Sequence, residues 1–250
     1  MGAALARGLL GKKLTPGDLA IVEKSAERRA ILQKDFLGVQ ILEQMPNCDS
    51  VVIAVKPTHV AGVCATFGSA GVKRVLSIAA GVTIAALERD CGEGVAVVRA
   101  MPNTPAIIGQ GASAISPGRS CSAEQAKWAR EILLSVGVVV DVEERLLDAV
   151  TGLSGSGPAY VFLLAEALIS AGVQQGLPLD VANTLVRQLL VGSSALLAQS
   201  AASPNELRLN VTSPNGTTAA GIAELQSKQF AEIIAAAVLA ATTRSKELGK

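Results

Sequence analysis

The sequence predicts an α/β protein with a doubly wound sheet in residues 1–142 and an all-helical domain in residues 143–250. Three observations support this prediction. Short β-branched runs alternate with helical patterns in the first half of the chain, no strand pattern follows residue 142, and half of all residues are hydrophobic. That hydrophobic content provides enough apolar surface for a sizeable core and excludes a disordered chain.

The first domain contains six short apolar runs with the composition of strands. They are Ala20–Glu23, Val51–Val55, Arg74–Ala79, Ala96–Arg99, Ala112–Ser116 and Val138–Val142. Helical patterns at Ala26–Lys34 and Ala123–Ser135 separate some of them. Apolar strands that are separated by helices are typical of a parallel sheet covered on both faces.

The second domain shows helical patterns only. They span Glu144–Leu153, Pro158–Gln175, Asp180–Gln199, Ser203–Asn210, Thr217–Gln226 and Lys228–Leu248. Two stretches, Tyr160–Ile169 and Ile233–Ala241, are apolar on nearly every face, and such a helix must be buried on all sides. Self-association across this domain is the simplest way to bury both stretches, and a tight monomeric bundle is the alternative.

Charge and composition exclude several classes of partner. Lysine and arginine total 22 against 21 acidic residues, with no more than two cations in a row, which argues against a nucleic-acid partner. The one histidine, His59, and the absence of Cys-x-x-Cys argue against a metal site. Four scattered cysteines without a signal-peptide pattern fit a reducing cytoplasm. The apolar stretch Ala159–Val173 is shorter than the roughly 18 residues of a membrane span and contains Glu166, so we expect no membrane partner.

The start of the chain differs from that of a complete doubly wound domain. A dinucleotide-binding (Rossmann) domain opens with a strand, a glycine-rich turn and a helix. This chain opens with a helical pattern, and Ala20–Glu23 has the features of the second strand. Gly2 is then the last glycine of a Gly-x-Gly-x-x-Gly turn, or the protein has no such turn. After that strand, Glu23 would favour a ribose hydroxyl, whereas Lys24 and Ser25 would favour a 2′-phosphate. An ordinary solvated turn is the alternative.

Four motifs resemble those of one known family. They are Ala54–Pro57 (AVKP), Met101–Pro105 (MPNTP), Leu153–Tyr160 (LSGSGPAY) and Val211–Gly221 (VTSPNGTTAAG). In this order and spacing they resemble pyrroline-5-carboxylate reductases over the whole chain. The resemblance implies a Rossmann domain, a helical domain that interlocks with a second subunit, and often higher oligomers of dimers. It also implies reduction of 1-pyrroline-5-carboxylate to L-proline, the last step of proline biosynthesis, with NADPH or less often NADH as cofactor.

The chain departs from the family pattern in three places. Met1-Gly2 looks like the tail of the family's glycine-rich loop. Asn215-Gly216 replaces Gly-Gly, a mild change because asparagine tolerates left-handed backbone angles. Leu209 replaces an aspartate and removes a polar group. Because the first strand of a doubly wound sheet lies at its middle, a chain that starts at Met1 leaves two neighbouring strands unpaired. We therefore expect it to bind NADPH weakly or not at all.

The expected substrate site lies in the last motif. No lysine or arginine stands between Val211 and Gln226, so backbone N–H groups must bind the substrate carboxylate. Ser213 to Gly216 lead into a helix beginning near Thr217, and a helix N-terminus offers free N–H groups. The alternative is that these polar residues only cap the helix. The resemblance places Thr218 at the substrate nitrogen, as the catalytic hydroxyl, with Thr217 as second candidate.

The resemblance also places Glu144 near the substrate, although a carboxylate in the first turn of a helix is favourable in any case. The expected cofactor residues follow the strands, where such folds bind ligands. They are Gly2, Ser25, Val55, Lys56, Pro57, Ala80 and, from the partner subunit, Asn210.

Two other classes of function remain open from the residues. A 3-hydroxyacid dehydrogenase has the same layout but uses a lysine in its helical domain, and no lysine stands between Glu144 and Ser227 here. A dimerising relative that has lost cofactor binding and catalysis is the second alternative.

Overall fold

The computed structural model describes residues 1–249, which form two compact units. One unit comprises Met1–Ser156 and the chain from Leu239 onward, and the other comprises Gly157–Val238. The helical segment begins at Glu144, close to the predicted domain boundary at residue 142, but its first turns pack in the unit that contains the sheet. Lys250, the last residue of the predicted helical domain, lies outside the described residues.

The first unit contains all seven strands of the described chain. They are β1 (Ala20–Val22), β2 (Gln40–Leu42), β3 (Ser50–Ile53), β4 (Arg74–Ser77), β5 (Ala96–Met101), β6 (Gly111–Pro117) and β7 (Gly137–Asp141). Its helices before residue 157 are α1 (Gly2–Leu10), α2 (Ala26–Asp35), α3 (Val60–Cys64), α4 (Phe67–Ala70), α5 (Ile84–Cys91), α6 (Ala123–Leu134) and α7 (Leu147–Val150). A π-helical turn at Thr151–Gly155 follows α7.

The strands form two sheets. Strands β1 and β2 make a separate parallel pair, and the larger sheet has the order β3-β4-β5-β6-β7. Within residues 1–249 no ladder joins β1 to β3. In the usual strand order 3-2-1-4-5-6, these two strands correspond to the second and the fourth, and the first strand separates them. The break between the sheets therefore lies where the sequence analysis expects two unpaired strands.

The prediction of an all-parallel sheet is wrong at one position. Strand β6 runs antiparallel to β5, while the other neighbours are parallel. Residues 102–110 connect β5 to β6 and contain only a 3₁₀ turn, Thr104–Ile108. This connection is too short for the crossover that a parallel pair requires, whereas an antiparallel pair needs none. Strand β2, with only three residues, was not predicted at all.

The larger sheet is covered on both faces, as predicted. One core packs Val75 and Val97 against α3, α4 and α5, and the other packs Leu76 and Val98 against α1 and α6. Successive residues of β4 and β5 thus point to opposite cores, as the period of a strand requires. The four cysteines pack as small apolar groups: Cys64 and Cys91 are buried, and Cys48 and Cys121 lie at the margins of the two cores.

The second unit is helical, as predicted. It contains α8 (Gly157–Gln174), α9 (Leu179–Gln199), α10 (Pro204–Asn210), α11 (Thr217–Ser227) and the first part of α12 (Phe230–Leu248). Helices α8 and α9 approach closely, since a Cβ at Gly172 would lie 3.3 Å from the Cβ of Ala182. The apolar stretches predicted in α8 and α12 stay open: Phe162 on α8 is 63% exposed, and Ile233 on α12 is 58% exposed. A single chain therefore leaves the predicted apolar faces uncovered.

Two helical segments, Glu144–Gln174 and Leu179–Gln199, are long and apolar enough to cross a membrane by length and composition alone. The sequence pattern indicated no membrane span because no long apolar run is free of charge, whereas these two segments are apolar on average. Very little of either apolar stretch is buried within the chain.

Candidate functional site

The carboxyl ends of β3 and β4 bring several of the expected cofactor residues to one edge of the sheet. Val55, Lys56 and Pro57 follow β3 and are exposed, and Ala80 is exposed after β4. Helix α1 begins at the same edge, because a Cβ at Gly2 would lie 3.0 Å from the Cβ of Ala54. The free N–H groups of the α1 start thus lie beside the loop that follows β3, in the manner of a phosphate site.

The loop after β4 packs against the end of the last helix. Gly81 has φ +78°, and a Cβ there would lie 3.2 Å from the carbonyl carbon of Leu248. A cavity of about 210 Å³ opens beside it, lined by Ala80, Gly81, Thr151, Ser156, Ala241, Arg244, Ser245 and Leu248. The Ser245 hydroxyl donates to Asp148 Oδ1 at 2.7 Å, which ties α12 to α7.

Glu144 lies in the same unit and is engaged by two donors. Its Oε1 accepts a hydrogen bond from Arg99 Nη1 at 3.0 Å and another from the N–H of Ile84, the first residue of α5, at 2.6 Å. The Arg99 side chain is 7% exposed and that of Glu144 is 34% exposed. The structure thus places Glu144 with a buried arginine and a helix start, in a different compact unit from the expected substrate residues at 213–218.

The turn after β1 is built from charged residues. Glu23 accepts from the Ser25 N–H at 2.9 Å and pairs with Arg28 at 3.3 Å. The Ser25 hydroxyl accepts from the Arg28 N–H at 3.3 Å and caps α2. Arg29 donates to the carbonyl oxygens of Glu23 and Lys24 and holds the turn in shape. Ser25 is therefore a helix cap, and Lys24 and Ser25 are both exposed beside it.

The expected substrate residues of the second unit surround the start of α11. Helix α11 begins at Thr217, as predicted, and Gly216 is its N-cap. Asn215 has φ +58°, which confirms that asparagine adopts the left-handed backbone expected there. A Cβ at Gly216 would lie 2.5 Å from Ser213 Oγ and 3.1 Å from the Ser213 carbonyl oxygen, so a larger residue here would displace the Ser213 hydroxyl.

No side chain caps α11 in the part of the chain that the structure describes. The expectation that the polar residues before it merely cap the helix is therefore wrong for the single chain. Ser213, Thr217 and Thr218 are exposed at this helix start, and Asn210, the last residue of α10, is exposed as well. The first N–H groups of α11 thus remain available to an acceptor.

Sequence reasoning did not identify Arg99 and Asn103. Asn103 Nδ2 donates to the carbonyl oxygen of Ser154 at 3.1 Å, and its Oδ1 accepts from the Ala112 N–H at 2.8 Å. This side chain joins the MPNTP and LSGSGPAY motifs. The sequence did contain a signal for Arg99: it is a charged residue in the apolar run that forms β5. A buried charge requires a charged partner, so this position predicts an ion pair. Among residues 1–249 the structure contains no group of three or more potential metal-ligating side chains.

Comparison with known proteins identifies the family. Residues 144–248 match the family model described as pyrroline-5-carboxylate reductase dimerisation, and residues 1–81 match that of NADP oxidoreductase, coenzyme F420-dependent. Over 100% of its length the chain is 38% identical to the pyrroline-5-carboxylate reductase of Corynebacterium melassecola, covering 96% of that protein. The chain belongs to the pyrroline-5-carboxylate reductase family. The reductase of Synechocystis is 40% identical over 99% of this chain and 94% of its own length.

Solved structures of other members agree over the full length. A pyrroline-5-carboxylate reductase from Coxiella burnetii superposes with a TM-score of 0.92 at 33% identity, covering 100% of this chain and 95% of its own. The Plasmodium falciparum pyrroline carboxylate reductase with NADP bound gives a TM-score of 0.84 at 30% identity, with the same coverage.

The family assignment settles two expectations from the sequence. It confirms the resemblance and the fold class, a Rossmann-type domain followed by a helical dimerisation domain. The alternative of a 3-hydroxyacid dehydrogenase is wrong. The exposed apolar faces of α8 and α9 lie within the matched dimerisation region, which explains why a single chain leaves them uncovered.

Proposed function

We propose that this member of the pyrroline-5-carboxylate reductase family reduces the C=N bond of 1-pyrroline-5-carboxylate to give L-proline, with NADPH as hydride donor and NADH as a possible substitute. The observation that carries this proposal is the uncapped start of α11, where exposed Ser213, Thr217 and Thr218 surround free backbone N–H groups. The motif that builds this start is also the most specific part of the resemblance.

The residues present fit a dinucleotide. Gly2 and Ala54 allow the α1 start to approach the loop after β3, and a side chain larger than glycine at residue 2 would crowd it. Free N–H groups at a helix start bind phosphate oxygens, so Gly2 would hold the diphosphate. Val55, Lys56, Pro57 and Ala80 would line the adjoining edge, and Asn210 of the partner subunit would contact the nicotinamide half. A bound nicotinamide supplies the hydride.

The turn after β1 supports a preference for NADPH. The carboxylate of Glu23 is engaged by Arg28 and the Ser25 N–H, so it is less available to a ribose hydroxyl. Lys24 and Ser25 are exposed beside it and supply a cation and a hydroxyl. Such donors suit a 2′-phosphate, whose charge an isolated carboxylate would repel.

The substrate carboxylate is proposed to bind at the start of α11. The free N–H groups of the first turn point along the helix axis, away from the helix body. The helix dipole places positive potential at the same end. Ser213 and Gly216 shape the preceding turn, and glycine at residue 216 allows Ser213 Oγ to come close. With no lysine or arginine from Val211 to Gln226, these N–H groups are the anion-binding donors that this segment offers.

Thr218 is the proposed catalytic residue. Its hydroxyl would hydrogen-bond the imine nitrogen, and Thr217 would orient the ring beside it. A threonine hydroxyl is too weak an acid to transfer a proton fully, so its contribution is orientation and hydrogen bonding. The imine nitrogen is basic enough to take the required proton from water, so hydride from the nicotinamide and this proton together give the ring amine.

We also propose that the enzyme is a cytoplasmic homodimer, which can assemble further into an oligomer of dimers. The near-balanced charge of 22 cations and 21 anions argues against a nucleic-acid partner. The dimerisation region contains both segments that are long enough for a membrane, and covering them with a second copy removes their apolar faces from water.

The proposal is tested by following the absorbance of NADPH with purified protein and 1-pyrroline-5-carboxylate. We expect oxidation of NADPH only when both are present, and a lower KM for NADPH than for NADH. Lys24→Ala should bring the KM for NADPH closer to that for NADH. Lys34→Ala, the same change at the other end of α2, should leave the two KM values as they are. A lower KM for NADH in the wild-type protein would contradict the cofactor preference.

A further inference from the structure

Arg99 is a charge inside an apolar strand. Its neighbours Val98 and Ala100 on β5 are buried, and its own side chain is 7% exposed. A guanidinium in such a position requires a charged acceptor, because burial of an unpaired charge is very costly. Glu144 provides it at 3.0 Å, and no other ion pair in residues 1–249 has so buried a cation.

The same carboxylate oxygen also holds the start of α5. Glu144 Oε1 accepts from the Ile84 N–H at 2.6 Å, and Thr83 Oγ1 accepts from the Ala86 N–H at 3.2 Å. Two of the N–H groups that a helix start leaves free are therefore satisfied, one of them by a negative charge, which the helix dipole favours.

The loop Ala80–Thr83 is thereby held at both ends. Strand β4 ends at Ser77 before it, and Glu144 binds the first N–H of α5 after it. In the middle, Gly81 packs against the backbone of Leu248. This loop carries Ala80, one of the residues at the proposed cofactor edge.

We propose that Arg99 and Glu144 are positioning residues for the cofactor: through the Ile84 N–H, the pair holds the Ala80–Thr83 loop in the conformation that binds the nicotinamide dinucleotide. This inference rests on the proposed function. It assigns Glu144 a different role from a substrate contact, because both of its donors belong to the unit that contains the cofactor edge. Loss of a positioning residue would weaken NADPH binding, whereas loss of a substrate contact would raise the KM for 1-pyrroline-5-carboxylate.

The test compares Glu144→Ala, Glu144→Gln and Arg99→Met with the wild-type dimer. Glutamine keeps an acceptor oxygen for Ile84 and Arg99, whereas alanine removes it. We expect Glu144→Ala to raise the Kd for NADPH by about 10-fold, with the KM for 1-pyrroline-5-carboxylate within about twofold of wild type. Glu144→Gln should recover most of the affinity, and the double variant Arg99→Met/Glu144→Ala should lose no more than either single variant.

Hydrogen exchange provides a readout that does not depend on bound cofactor. Amides of residues 80–87 should exchange at least about 10-fold faster in Glu144→Ala, because their anchoring acceptor is lost. Ser122→Ala is the matched control: Ser122 Oγ caps α6 by accepting from the Gln125 N–H, so its loss weakens a helix start away from this loop. It should leave NADPH binding and exchange at residues 80–87 unchanged.

A higher KM for 1-pyrroline-5-carboxylate with unchanged NADPH affinity would overturn the inference and make Glu144 a substrate contact. Equal effects of Glu144→Ala and Ser122→Ala on NADPH affinity would overturn it as well, since only general stability would then be involved. Failure of the wild-type protein to form proline would instead contradict the proposed function, and the exchange rates would still test the contact.

Discussion

Replacement of Gly81 by alanine tests how the end of α12 supports the cofactor edge. Gly81 has φ +78°, in the left-handed region, and its missing side chain faces the backbone of Leu248 and Gly249. An added Cβ would lie 3.2 Å from the carbonyl carbon and oxygen of Leu248 and 3.3 Å from the Gly249 nitrogen. These are backbone atoms, so they cannot rotate away as a flexible side chain would.

The expected cost has two parts. Alanine in the left-handed region costs about 1 to 2 kcal/mol. The crowding against a fixed backbone adds about 1 to 2 kcal/mol, the lower range for overpacking. Gly71→Ala is the matched control, because Gly71 has φ +72° and no atom within 4 Å of an added Cβ. Gly81→Ala should therefore lower the free energy of unfolding by about 2 to 4 kcal/mol, and Gly71→Ala by about 1 to 2 kcal/mol.

Urea unfolding at one fixed protein concentration measures both variants, since dimer formation contributes to apparent stability. The KM for NADPH should also rise in Gly81→Ala and stay unchanged in Gly71→Ala, because the loop after β4 must move to relieve the contact. Equal destabilisation by the two substitutions would refute the reasoning, since it would show that the Leu248 contact has no energetic consequence.

Two further substitutions test other parts of the account. Thr218→Ala should lower kcat/KM by about 10- to 100-fold without unfolding the protein. Thr217→Ala should lower kcat/KM less. Unchanged steady-state kinetics of Thr218→Ala would remove Thr218 from the mechanism. Ile234 lies on the apolar stretch of α12 and is 40% exposed in the single chain. Ile234→Asp should produce monomers in light scattering, whereas Ile31→Asp on α2 should not; a dimer of unaltered size would contradict this.

Local patterns predicted most of the elements, and pairings distant in sequence account for most of the differences. Most strands and the helices of the second half followed from apolar runs and periodicity, whereas β2 and the short helices α3, α4 and α5 did not. The left-handed backbone at Asn215 followed from the chemistry of a single residue. The orientation of β6 depends on how far residues 102–110 can reach, and the sequence analysis treated that segment only as the end of a strand.

The site shows the same limit. The sequence placed Gly2, Val55–Pro57 and Ala80 at strand and helix ends, and the structure brings them to one edge. The contacts of Glu144 with Arg99 and Ile84 could not be predicted, because they join residues 45 and 60 positions apart. The same holds for the approach of Leu248 to Gly81, which no local pattern indicates.

Transfer of deuterium tests the proposed reaction most directly. The purified chain is incubated with 1-pyrroline-5-carboxylate and NADPH that carries deuterium on the transferable position of its nicotinamide ring, and the product is analysed by mass spectrometry. The account predicts L-proline with one deuterium on the former imine carbon for each NADPH oxidised. Absence of labelled proline from a folded dimer would contradict it, and would favour a dimerising relative that has lost catalysis.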